Sequence, residues 1–164
     1  RRSSSAASDV YKRQMIPSAV NEVITTGVGH IGCVSSNLKP FHADTLGIVC
    51  DPEVDEVICF INKSSSKAFL DHLVVGSRTS LFSAVITHES YNLKGQVTEL
   101  RDVSFDEMAV CDNLRKGMYA LYSELGIPEE LAARYWKRTP DMAIVISVDT
   151  IFSQTPGPNA GKQL

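Results

Sequence analysis

The order of predicted secondary structure along residues 15–164 constrains the fold more than any other feature of this sequence. Most strand-like segments come first, an amphipathic helical stretch follows, and a long segment rich in β-branched residues comes last. The predicted strands are residues 30–35, 41–50, 56–61, 79–87, 91–100 and 142–152. Alternating strand–helix units are absent from this order, which disfavours a parallel sheet. The order favours a mostly antiparallel, barrel-like α+β domain of six strands.

Helices are predicted between these strands. Residues 17–24 and 67–74 carry apolar side chains at helical spacing. A capping box at 104–107 opens a longer helix that Gly126 is suited to end, and Pro128 opens a further short one. The predicted apolar face of the long helix consists of Phe105, Met108, Leu114, Met118, Leu121, Tyr122 and Leu125.

Residues 1–14 differ in origin from the rest of the chain, because residues 4–14 resemble the translation of a sequencing-library adapter. We therefore expect a disordered, non-native tail there and a single domain over 15–164, since no repeat or long linker divides the rest. The tail holds four basic residues and one acidic residue, so residues 15–164 carry a net charge of −6. An acidic domain is a poor binder of nucleic acid.

Two further classes are disfavoured by the distribution of apolar residues and cysteines. No apolar run approaches the length of a membrane-spanning helix, and we expect a cytoplasmic protein without a membrane partner. Cys33, Cys50, Cys59 and Cys111 form no C-x-x-C pair and no zinc-type spacing with histidine. We expect buried or half-buried free thiols and no metal site.

The segment most relevant to chemistry is the turn at residues 62–67, Asn-Lys-Ser-Ser-Ser-Lys, which follows the apolar strand 56–61. Three hydroxyls and two lysines at a strand-to-helix turn form a donor set that a phosphate monoester requires. The alternative is a surface turn whose serines cap the helix and whose lysines are solvated. The turn alone does not decide between the two.

The surrounding motifs resemble those of the FMN-binding split barrels related to pyridoxamine 5'-phosphate oxidase. The strand ending in Phe60-x-Asn62 matches the family pattern, as does the turn Ser65-x-Lys67 with a leucine in the next helix. Leu93-x-Gly95-x-Val97 is similar to a later strand in which glycine is common, and residues 142–152 are similar to the last strand. The resemblance covers residues from about 25 to 155.

The resemblance implies a mostly antiparallel, six-stranded split β-barrel with a helical insertion before the last strand. It also implies bound FMN, with Phe60, Ile61 and Asn62 beside the flavin ring or ribityl chain. Ser64, Ser65, Ser66 and Lys67 would hold the phosphate, and His42 is the histidine best placed for a flavin contact. The family further implies a homodimer with flavin at the interface, and an oxidoreductase for which reduced nicotinamide is a plausible electron donor.

The chain departs from the family in two places. Ser66 stands where the oxidase itself usually has arginine, so a charged phosphate contact is missing or is supplied elsewhere, with Lys63 and Arg78 as candidates. The chain also lacks the Arg-Leu-x-Pro-like ending that serves the oxidase's pyridoxal substrate. The resemblance therefore predicts an FMN-dependent oxidoreductase acting on an unknown small molecule.

Several residues keep two readings. His42 is either a flavin contact or a strand histidine that faces solvent. The segment 136–138, Trp-Lys-Arg, either borders the active site or packs as part of a helix face. A non-catalytic or haem-binding split barrel is the alternative to a flavoenzyme, and haem would require His30, His42 or His88 as its axial ligand.

Overall fold

The computed structural model of the chain describes residues 16–51 and 53–164, so the predicted disordered tail lies outside the described residues. The strands are β1 (Val28–Val34), β2 (Pro40–Asp44), β3 (Gly47–Asp51), β4 (Glu56–Ile61), β5 (Arg78–Ala84), β6 (Ser90–Arg101) and β7 (Met142–Ser153). The helices are α1 (Ser18–Thr26), α2 (Lys67–Leu70), α3 (Phe105–Glu124) and α4 (Glu129–Trp136).

All seven strands belong to one antiparallel sheet in the order β2-β1-β5-β6-β7-β4-β3. The sheet curls into a half-barrel because its two outermost strands are adjacent in the chain, separated only by Thr45 and Leu46. The Thr45 N–H donates to the Gly29 carbonyl of β1 (2.9 Å), and the Leu46 N–H donates to the Phe60 carbonyl of β4 (2.7 Å). These two residues therefore bring the ends of the sheet together.

This arrangement confirms the predicted fold class and corrects the number of strands. The single strand predicted over residues 41–50 is two strands, β2 and β3, which pair with different neighbours. The interruption expected near Gly47 falls at Thr45–Leu46 instead, and Gly47 begins β3. The helical insertion before the last strand is confirmed, since α3 and α4 lie between β6 and β7.

The main core fills the inside of the curl. Alternate residues of the strands point inward, and Ile31, Leu81, Leu93, Ile144, Ile146 and Ile151 are almost fully buried there. Helix α1 packs on β3, β5 and β6 through Val20, Val23 and Ile24. Phe69 and Leu73, which follow the turn at 62–67, join the same core. Burial of this apolar surface is the principal stabilising contribution to the fold.

A second, smaller core lies outside the curl, beneath α3. Phe60 of β4 and Ala143 of β7 point outward and contact Cys111 of α3. The predicted apolar face of α3 is confirmed only in part: Met118 is buried, Met108, Leu114, Leu121 and Tyr122 are half-buried, and the Phe105 side chain is 90% exposed. Leu114, Leu121, Tyr122 and Leu125 border two grooves of about 360 and 450 Å³ beside α1.

The helices begin and end close to where the sequence predicts, except at α2. The capping box is formed by Ser104 and Glu107, Gly126 has a φ of +70°, and Pro128 is the N-cap of α4. The helix predicted over 67–74 ends at Leu70, where irregular turns begin.

The cysteines are free and are buried or half-buried, as expected. Burial raises the pKa of the Cys50 thiol to about 11 and that of Cys111 to about 12, with nearby carboxylates adding to the effect. These thiols are therefore protonated near neutral pH. Within residues 16–51 and 53–164, no helix combines the length and apolar character needed to cross a membrane.

Candidate functional site

Asn62 organises the turn at residues 62–67 that follows β4. Its Oδ1 accepts hydrogen bonds from the Ser65 N–H (3.0 Å) and the Ser64 hydroxyl (2.7 Å). Its Nδ2 donates to the Thr139 carbonyl (2.8 Å), which ties the turn to the segment just before β7. The amide of Asn62 therefore fixes the conformation of the turn and the position of its two exposed serines.

Both lysines of the turn are paired with carboxylates. The Lys63 Nζ lies 2.6 Å from Asp102 Oδ1, and the Lys67 Nζ lies 3.0 Å from Asp71 Oδ1. The hydrogen bond between Lys63 and Asp102 raises the pKa of the lysine and lowers that of the aspartate. The Lys67 side chain is 79% exposed, so its pair is weak in water and can exchange for another anion.

Phe60, Ile61 and Ser66 are buried, unlike the rest of the predicted site. Phe60 lies in the small core under α3, and Ile61 lies in the main core on the other face of β4. A contact between either residue and a flavin would have to be made by backbone atoms. Ser66 is also buried, so the accessible hydroxyls of the turn belong to Ser64 and Ser65.

Arg138, just after α4, reaches the turn from a distant part of the chain. Its Nη1 lies 3.4 Å from the Ser65 hydroxyl, and its Nη2 lies 2.9 Å from Asp44 Oδ2. Its Nε donates to the Tyr135 carbonyl (2.9 Å), and the guanidinium lies 4.8 Å from the centre of the Tyr135 ring. Nothing in the sequence predicts the contact with Ser65, which joins residues 73 positions apart.

A row of polar side chains continues from Arg138 across the outer face of the sheet. The other carboxylate oxygen of Asp44 lies 3.0 Å from His30 Nδ1. The His42 ring lies 6.3 Å from the His30 ring, and the Tyr135 ring lies 6.4 Å from it on another side. The predicted contact residue His42 is thus exposed at the far end of a network that begins at the turn.

Tyr135 connects this row to the closure of the sheet. Its hydroxyl lies 3.2 Å from the carbonyl oxygens of both Gly29 and Thr45. Burial, with a smaller contribution from Asp44, raises the pKa of Tyr135, so its hydroxyl stays a donor at physiological pH. Helix α4 is therefore held on the sheet at the place where β2 leads into β3.

The other charged and aromatic candidates from the sequence lie elsewhere. Arg78 forms an ion pair with Asp149. Together with His42 and Lys94, Arg78 borders a shallow pocket of about 420 Å³ on the outer face of β1, β2 and β5. Trp136 is buried, which agrees with helix packing, whereas its neighbour Arg138 lies at the turn.

Comparison with known structures identifies the fold. No family model matches the sequence, and no curated protein matches it. The chain is similar in structure to HupZ of Group A Streptococcus, with a TM-score of 0.53 and 15% identity over 90% of this chain and 100% of that one. It is also similar to a candidate pyridoxamine 5'-phosphate oxidase of Lactobacillus delbrueckii, with a TM-score of 0.52 and 10% identity over 84% and 93%. The fold is the split barrel.

In this split barrel, the turn fits a phosphate by the chemistry of its donors. Two exposed hydroxyls and one exposed, weakly paired lysine lie in the turn itself, and a guanidinium lies against one of the hydroxyls. Convergent hydroxyl, ammonium and guanidinium donors are the groups that bind phosphate monoesters in proteins.

Proposed function

We propose that this protein is an FMN-dependent oxidoreductase that acts on a small molecule. The observation that carries the proposal is the turn Asn62–Lys67, whose exposed serines and lysine meet Arg138 on a split-barrel scaffold. The fold shared with a candidate pyridoxamine 5'-phosphate oxidase supports the same reading. FMN is favoured over an unphosphorylated flavin because the donors of the turn suit a phosphate.

The redox chemistry belongs to FMN when it is bound, with reduced nicotinamide as the proposed electron donor. The residues of this chain bind and orient the cofactor. Ser64, Ser65 and Lys67 bind the phosphate, while Asn62 holds the turn in the conformation that presents them.

We propose further that the functional unit is a homodimer with the flavin at the subunit interface. Phe60 and Ile61, the residues expected beside the ring, have buried side chains. One chain alone therefore offers neither of these side chains to the flavin ring. In a homodimer, residues of the second subunit would contact the ring. Light scattering on the FMN-loaded protein should give twice the mass of the chain.

Absorption spectroscopy and FMN titration test the proposed function directly. We expect purified protein to be yellow, or to bind added FMN with quenching of flavin fluorescence. Lys67→Ala should weaken FMN binding about tenfold, because one charge-assisted contact to the phosphate is lost. Lys116→Ala, on α3, is the matched control and should bind FMN as the wild type does.

Two results would overturn the proposal. One is a colourless protein that fails to bind FMN at any concentration tested. The other is a Soret band on adding haemin without any flavin binding, which would support a haem-binding split barrel instead.

A further inference from the structure

We propose that Arg138 is the guanidinium that recognises the phosphate of the cofactor at the turn, and that it makes the site selective for FMN over riboflavin. This inference rests on the proposed function and assigns a residue to the phosphate contact that Ser66 cannot provide. Ser66 is uncharged and buried, so position 66 offers no cation to a ligand.

The position of Arg138 is the first reason. Its Nη1 lies 3.4 Å from the Ser65 hydroxyl, one of the two accessible hydroxyls of the turn. An anion that accepts a hydrogen bond from Ser65 would therefore lie within reach of the guanidinium. Of the substitutes that the sequence suggests, Arg78 borders a pocket on the outer face of the sheet rather than the turn, and Lys63 is paired with Asp102.

Preorganisation is the second reason. The Tyr135 carbonyl, the Tyr135 ring and the Asp44 carboxylate hold the guanidinium from three directions, and its side chain is only 23% exposed. A planar fork held in this way loses little conformational entropy when it binds a phosphate. Lys67, by contrast, is an exposed and flexible side chain that must be ordered on binding.

The number of donors is the third reason. A guanidinium carries five N–H donors, of which one donates to the Tyr135 carbonyl and one to the Ser65 hydroxyl, while Asp44 forms an ion pair at Nη2. Within the described residues, at least two donors are left for the oxygens of a ligand, even if Asp44 takes one. Asp44 offsets part of the charge of Arg138, so we expect its contribution to come from directed hydrogen bonds more than from net charge.

Binding constants for FMN and riboflavin, measured side by side on the apoprotein by fluorescence quenching, test this assignment. Riboflavin is FMN without its phosphate, so the ratio of the two affinities isolates phosphate recognition. Arg138→Ala should weaken FMN binding about thirtyfold and change riboflavin binding by no more than about threefold. Arg134→Ala removes an exposed arginine of α4 and should change neither affinity.

Arg138→Lys keeps the positive charge but loses the planar guanidinium. It serves as the second variant if the alanine variant does not fold. It should lower the ratio of FMN to riboflavin affinity by about threefold to tenfold. A purely structural role for Arg138 would weaken both flavins equally and leave the ratio unchanged, which would overturn the assignment.

The wild-type protein separates the two proposals. If it binds FMN and riboflavin equally well, the phosphate is not recognised and the role of Arg138 is refuted, while flavin binding stands. If it binds neither flavin, the proposed function fails and the assignment of Arg138 fails with it.

Discussion

The ion pair between Lys67 and Asp71 sets how readily Lys67 can serve a ligand. The pair is exposed and spans one helical turn, so it contributes only about 0.3–0.5 kcal/mol to stability. Asp71→Asn should free Lys67 and remove a negative charge from the neighbourhood of a bound phosphate. We expect FMN affinity to rise about twofold to fivefold and the midpoint of urea unfolding to stay nearly constant.

The control is Asp112→Asn, which breaks a similar exposed pair with Arg115 on α3. It should leave FMN affinity unchanged. Unchanged or weaker FMN binding in Asp71→Asn would mean that Lys67 does not reach the phosphate.

At the same scale, the sequence predicts only part of the candidate site. Ser64, Ser65 and Lys67 are predictable because local turn chemistry exposes them directly after a strand. The sequence offers residues 136–138 as either a border of the active site or part of a helix face, but it does not predict that Arg138 lies beside Ser65, because that position depends on where α4 docks. That position depends in turn on the contacts of Tyr135 with the carbonyls of Gly29 and Thr45, which are long-range.

Among the elements, α3 depends on its N-terminus because few of its residues are buried. Glu107 accepts a hydrogen bond from the Ser104 N–H (2.8 Å) and two from the Arg101 guanidinium (2.6 and 2.8 Å). These partners, Arg101 first, lower the pKa of Glu107 from 4.5 to about 2. The folded state therefore favours the ionised carboxylate, which stabilises the protein above about pH 4.5 and ceases to do so as the pH falls towards 2.

Glu107→Gln and Glu107→Ala separate the two roles of this side chain. Glu107→Gln can keep the capping box but loses the ion pair. We therefore expect it to lower the free energy of unfolding by about 1–2 kcal/mol at pH 7 and to leave it unchanged near pH 2. Glu107→Ala also removes the hydrogen bond from the Ser104 N–H to the side chain, and should lower the free energy of unfolding by about 0.5–1 kcal/mol more. Urea unfolding between pH 2 and 7 measures both, and a pH-independent cost of Glu107→Gln would contradict the ion-pair account.

The strands show why element boundaries are harder to predict than element types. Residues 56–61 and 142–153 form strands almost as predicted, because β-branched and apolar residues favour buried strands. The run 41–50 looks just as continuous, yet the chain bends at Thr45 and Leu46. The bend is stabilised by hydrogen bonds to Gly29 and Phe60, on strands at opposite ends of the sheet, and local periodicity contains no information about them.

In the whole molecule, contacts at the closure of the barrel also help to position the candidate site. Thr45 and Leu46 join the ends of the sheet, and the Tyr135 hydroxyl lies against the same closure. This contact holds the end of α4, and with it Arg138, over the outer face beside Ser65. The helical insertion therefore packs on the sheet, through Cys111 of α3 and Trp136 of α4, and also positions Arg138 beside the turn.

The barrel itself depends on the close pairing of β6 and β7, two strands of twelve residues each. A Cβ atom at Gly95 would lie 2.1 Å from the Ser147 carbonyl oxygen and 2.8 Å from Ile146 Cγ2. Gly95→Ala would therefore force the two strands apart near their register shift, and we expect a loss of about 2–4 kcal/mol in the free energy of unfolding.

Gly117→Ala is the matched control, because a Cβ at this position on α3 meets nothing within 4 Å. Alanine suits a helix better than glycine, so the same substitution should raise the free energy of unfolding there by about 0.5–1 kcal/mol. Urea denaturation of the two variants beside the wild type measures both effects. Equal stability of Gly95→Ala and the wild type would show that β6 and β7 do not approach as closely as this register requires. Opposite signs for the two substitutions would establish that the penalty at Gly95 comes from contact between the strands, because the added methyl group is the same in both.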